Sequence, residues 1–62
     1  MSGDLFPEVS LIEQIREVER EIAYRHSVYN RLVGQGKMKA DVARRHIYAM
    51  TAVLKTLRGL QA

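Results

Sequence analysis

His26 and His46 are the side chains of this chain most able to ligate a metal or move a proton near neutral pH. There is no cysteine, so a metal would need further ligands from Asp or Glu. On paired helices folded about a central turn, positions 26 and 46 stand at one height but on opposite flanks, and they should not converge. His46 reads as a partly buried interface residue and His26 as a surface one. Glu17, Glu19 and Glu21 are closely spaced, yet residues two apart on a helix point to different sides. They make no general acid–base dyad. The stretch Gly34-Gln35-Gly36-Lys37-Met38 has the glycines of a phosphate cradle, but Lys37 is not followed by Ser or Thr and no strand precedes it. No Ser/His/Asp constellation is present, and a helical hairpin offers no natural pocket. The expectation is a chain that is not an enzyme, with no catalytic, metal or cofactor-binding residue.

Arg25 is the charged residue that stands out, because it interrupts an apolar stripe. A recessed guanidinium is costly unless paired. Glu21, four residues earlier in the favourable orientation, is the first candidate partner. Glu19 or Glu21 of a second chain, or an acidic group of another protein, are the alternatives.

The elements that place these residues follow from periodicity. Leu11, Ile15, Val18, Ile22, Arg25, Tyr29 and Leu32 recur in steps of four and three, as do Ala40, Ala43, Ile47, Met50, Leu54 and Leu57. The spacing predicts helix 1 over about 9–33, a turn over 34–39 and helix 2 over about 40–58, preceded by a flexible arm over 1–9. Pro7 suits a first helical position. Ser10-Leu11-Ile12-Glu13 fits a capping box, so the start is placed between Glu8 and Ser10. Gly34 and Gly36 can take left-handed angles that end a helix, Asp41 suits the start of helix 2, and Gly59 suits its end. Met38 and Met50 read as turn or core fillers. Phe6, the only phenylalanine, is the residue of the arm suited to dock on a partner.

Folded at the turn, the two stripes align layer by layer: Tyr29 opposite Ala43, Ile22 opposite Met50, Ile15 opposite Leu57. The fold class is therefore all-α, an antiparallel helical hairpin. Its 62 residues cannot bury a large core in two helices, and no disulfide makes up the deficit. Dimerisation into a four-helix bundle is the expected remedy. No apolar run reaches the ~18 residues of a membrane span, and no signal-peptide pattern opens the chain. The expected setting is cytoplasmic.

Two flanks remain once the stripes face each other. Tyr24, Val28, Val42, His46, Ala49, Val53 and Leu60 make one of them too apolar for water, and it is the predicted dimer interface. The opposite flank carries Arg16, His26, Asn30, Arg44, Tyr48, Lys55 and Arg58, with Arg31, Lys37 and Lys39 at the tip. Arg31, Lys37, Lys39, Arg44, Tyr48 and Arg58 are the predicted partner-binding residues. The charge is polarised: residues 1–21 hold six acids against Arg16 and Arg20, and residues 22–62 hold eight bases against Asp41, within a net +3. Such a distribution suits an acidic protein partner, with nucleic acid as the second reading. It also lets acidic and basic ends attract within one hairpin or between two.

Glu21-Ile22, Arg25, Val28-Tyr29, Arg31-Leu32-Val33, Gly36-Lys37-Met38, Ala43, Ile47 and Met50 together resemble small helical proteins encoded by bacteriophages and prophages of proteobacteria. The likeness spans about residues 17–57. Where those relatives often have proline after the tyrosine and Ser or Thr after Gly-Lys-Met, this chain has Asn30 and Lys39. The first change should straighten helix 1, and the second removes a good N-cap. The resemblance implies a phage origin, a bacterial host cell, and a role such as inhibiting or redirecting a host or phage protein.

Overall fold

The computed structural model describes residues 8–61 and contains two helices, α1 (Leu11–Gly34) and α2 (Ala40–Gly59), packed against each other as a hairpin. The expected arm falls largely outside the described residues, and so do Leu5, Phe6 and Pro7.

α1 starts where the capping box puts it. Ser10 is the N-cap: the Glu13 backbone N–H donates to Ser10 Oγ at 3.1 Å, and the Ser10 backbone N–H donates to Glu13 Oε1 at 3.0 Å. Two of the helix's free N-terminal donors are thereby satisfied. The first helical residue is Leu11, two later than the expected start, because Ser10 takes an extended backbone to cap. Acceptance of two hydrogen bonds from Ser10, led by that from its backbone, holds the Glu13 carboxyl below its ordinary value of 4.5.

The turn uses one glycine where the sequence offered two. Gln35 is the C-cap, and only Gly36 takes a positive φ, 73°. The Lys37 N–H donates to the Leu32 carbonyl at 2.8 Å and the Gly36 N–H to the Val33 carbonyl at 3.0 Å. Those bonds form the Schellman closure, in which a left-handed residue lets the chain turn back onto the last carbonyls. Gly34 is the last residue of α1, and its conformational freedom goes unused. α2 begins after Lys39, whose side chain makes no capping bond. At the far end α2 closes through Leu60 with no left-handed residue, so Gly59 ends the helix without supplying one.

The facing stripes meet as the periodicity requires. Ile15, Ala43 and Leu54 are buried, and Leu11, Val18, Ile22, Arg25, Tyr29, Leu32, Ile47, Met50 and Leu57 are half-buried. Ala40 is the exception, exposed at the start of α2. Among the described residues no side chain is sealed completely from solvent, which is what two helices with no third layer can achieve.

Candidate interaction surfaces

Arg25 finds its partner on its own helix. Its Nε donates to Glu21 Oε2 at 2.7 Å, and the two side chains are 33% and 42% exposed. The hydrogen bond to Glu21 raises the guanidinium pKa above its ordinary value; burial opposes this, and Tyr29 reinforces it. The break in the stripe is thus neutralised inside one chain, with no acid from a second copy needed.

The apolar flank is open in the single hairpin. Tyr24, Val42, Val53 and Leu60 are large apolar side chains left exposed, and Ala49 is exposed beside them. Val28 is half-buried. His46 is also exposed, with its ring 6.0 Å from that of Tyr29 at a tilt of 55°. Tilted aromatic pairs at this separation attract weakly edge to face. The contact gives Tyr29 a neighbour on α2 other than the alanine expected to receive it.

The basic flank contains a feature the sequence did not suggest. Next to the turn, α1 and α2 enclose an open cavity of about 300 Å³. α1 contributes His26, Tyr29, Asn30 and Val33; α2 contributes Ala40, Ala43, Arg44, Ile47 and Tyr48. The expectation that a hairpin has no pocket is therefore corrected. The cause lies in side-chain size: Ala40 and Ala43 present methyl groups where the layers farther from the turn present Ile47, Met50 and Leu54. An alanine pair three residues apart beside the turn is the sequence signal that could have announced it. Floor and rim differ in chemistry. Val33, Ala40, Ala43 and Ile47 are apolar, whereas His26, Asn30, Arg44 and Tyr48 bring polar groups.

His26 lines this cavity and His46 does not, in keeping with their assignment to different flanks. Among the described residues no three His, Asp or Glu side chains gather as a metal would require.

The basic residues differ in what holds them. Arg58 Nη2 donates to Glu19 Oε2 at 2.6 Å, which ties the end of α2 to the first half of α1. The attraction between acidic and basic ends is thus realised within one hairpin at this point. The only other ion pair among the described residues besides that of Arg25 joins Arg20 to Glu17. Arg31, Lys37, Lys39 and Arg44 have no acidic partner among the described residues, and Tyr48 is exposed at 62%. They ring the turn end of the molecule, close to the cavity.

No described helix is long and apolar enough to cross a membrane. Comparison with known proteins finds no matching family model, no matching curated protein and no matching solved structure.

Proposed function

We propose that this hairpin is a non-catalytic protein-binding module that self-associates through its apolar flank into a four-helix bundle and presents its basic tip to an acidic protein. The observation that carries the reading is the flank holding Tyr24, Val42, Val53 and Leu60. All four are exposed, while among the described residues the buried core is only Ile15, Ala43 and Leu54. A chain with so little interior gains most by covering such a surface with a copy of itself. Arg31, Lys37, Lys39 and Arg44, which have no acidic partner among the described residues, then remain outward for a partner, the two arginines with guanidinium groups suited to carboxylates. The resemblance to phage-encoded proteins supports a partner in the bacterial cytoplasm, a host or phage protein that the module inhibits or redirects.

Sedimentation across a concentration series tests the first half. Two-chain mass that falls to one-chain mass on Val53→Lys is the expected result; a folded monomer at all concentrations removes the role assigned to the flank. Affinity capture from lysogenic cells tests the second half. A specific protein should be retained by the wild type and lost with Lys37→Glu/Arg44→Glu, and retention indifferent to these charges counts against the reading.

Nucleic acid is the second reading, favoured by one observation: Tyr48 is exposed beside Arg44, which has no acidic partner among the described residues, an arrangement that can stack a base and hold a phosphate. DNA or RNA binding that weakens steeply with salt and vanishes on Arg44 replacement would replace the protein-partner reading.

A further inference from the structure

We infer that the cavity beside the turn is the anchor point for the acidic protein partner. It takes one bulky apolar side chain of that partner, of the leucine or phenylalanine kind, while a carboxylate close by on the partner's chain meets Arg44. The inference rests on the acidic-partner reading above and names what the partner must carry.

The floor of the cavity calls for an apolar group. Val33, Ala43 and Ile47 supply it, with Ala43 buried and the other two half-buried, so a side chain that settles there completes a surface already partly withdrawn from water. The volume of about 300 Å³ stands at the lower limit of the ~300–1,000 Å³ usual for small-molecule sites. That is room for one side chain rather than for a cofactor. A free ligand so small has few atoms with which to offset the entropy lost on association. A protein adds further contacts along the tip, at Arg31, Lys37 and Lys39. Protein interfaces concentrate their binding energy in this way, on single side chains seated in pockets and ringed by polar groups.

The rim sets the charge of what stands beside that side chain. His26 and Asn30 are four residues apart on α1, and Arg44 and Tyr48 four apart on α2, so each pair shares one face of its helix. The Asn30 amide, the Tyr48 hydroxyl and the Arg44 guanidinium all donate, and an ionised carboxylate only accepts. No acid lines the cavity among the described residues. Asp41 lies one helical turn before Arg44 and could neutralise it, but its Oδ1 accepts instead from the Val42 backbone N–H at 2.9 Å. Arg44 makes no ion pair among the described residues, which leaves its planar fork open to a carboxylate. A nucleic acid would use Tyr48 and Arg44 but leave the aliphatic floor uncovered, so the floor favours a protein.

The test selects peptides from a displayed random library on the full wild-type chain, then measures the affinity of a synthetic peptide of the recovered consensus. The expected consensus is a large aliphatic or aromatic residue with Asp or Glu close beside it. Replacing that apolar residue by alanine should weaken binding about ten-fold or more. Ala40→Leu, which fills the cavity from an exposed position, should do the same while helix content is kept. Arg44→Gln should cost about five-fold, the effect of losing one exposed ion pair. Acidic peptides that lack a large apolar residue, or that bind Ala40→Leu as well as the wild type, overturn the anchor and leave the acidic-partner reading standing. Phenylacetate that binds as tightly as the peptide gives the cavity to a free small molecule and also overturns the anchor. A selection that retains no acidic peptide overturns both.

Discussion

Glu19 and Arg58 lie 39 residues apart in sequence and 2.6 Å apart in the folded chain. Their carboxylate–guanidinium bond is the one ion pair among the described residues that joins the two helices. Both side chains remain partly in solvent, at 43% and 55% exposure, so water screens much of the attraction. A double-mutant cycle with Glu19→Gln and Arg58→Gln should return a coupling of about 0.5 kcal/mol in low salt, shrinking as salt is added. A coupling of zero at low ionic strength would show that the pair sets no register.

The two glycines of the turn should respond in opposite directions. Gly36 sits at φ 73°, where a side chain is strained whatever space surrounds it. Gly36→Ala should destabilise the hairpin by about 1 kcal/mol. Gly34 is helical, and a Cβ there would meet nothing within 4 Å. Gly34→Ala should therefore stabilise by about 0.5 kcal/mol, through helix propensity and a less flexible unfolded chain. Urea titrations of both variants check the pair of signs, and equal effects would refute the Schellman account of the turn.

Much of this architecture was legible because its causes are local. The three- and four-residue steps from Leu11 to Leu32 and from Ala40 to Leu57 identify the buried stripes. Ser10 and Glu13 mark the start of α1 by chemistry that needs no neighbour. What escaped depends on side chains meeting across the hairpin. Which glycine would turn left-handed was open until the Lys37 and Gly36 amides found their carbonyls. Arg58 read as a partner-binding residue, because Glu19, one of several spaced glutamates, gave no sign that it in particular faced the other helix. The cavity was invisible for the same reason: two small residues, Ala40 and Ala43, make a void only when the opposing Tyr29 and Val33 fail to fill it.

Acid should loosen the start of α1 before it unfolds the rest. The Glu13 carboxylate is held below its ordinary 4.5 by the hydrogen bonds from Ser10. A carboxyl depressed in the folded state contributes stability that is fully present above its unfolded value and is lost as pH falls through the folded one. The capping contribution should accordingly persist at neutral pH and vanish on the acid side of 4.5. Ser10→Ala removes the hydroxyl but keeps the backbone donor, so it should raise the Glu13 pKa part of the way toward the ordinary value and weaken this part of the pH dependence. NMR titration of the Glu13 side chain measures both, and an unmoved pKa in Ser10→Ala would contradict the reciprocal cap.

Neighbouring residues on α2 should separate folding from association. Leu54 is 8% exposed and belongs to the seam between the helices, whereas Val53 is 45% exposed on the apolar flank. Leu54→Ala removes buried methyl groups from a core that numbers three among the described residues, and should cost about 2–4 kcal/mol, enough to abolish a cooperative melt in so small a chain. Val53→Lys leaves the seam intact and places a charge on the flank proposed to meet a second copy. If that flank is an interface, the wild-type melting temperature should rise with protein concentration, because association draws the equilibrium toward the folded chain. In Val53→Lys that dependence should disappear while far-ultraviolet dichroism still reports helix at low temperature. A wild-type melt independent of concentration would place the stabilisation of this hairpin within the single chain, in the seam and the Glu19–Arg58 bond, and would leave its apolar flank free for a different occupant.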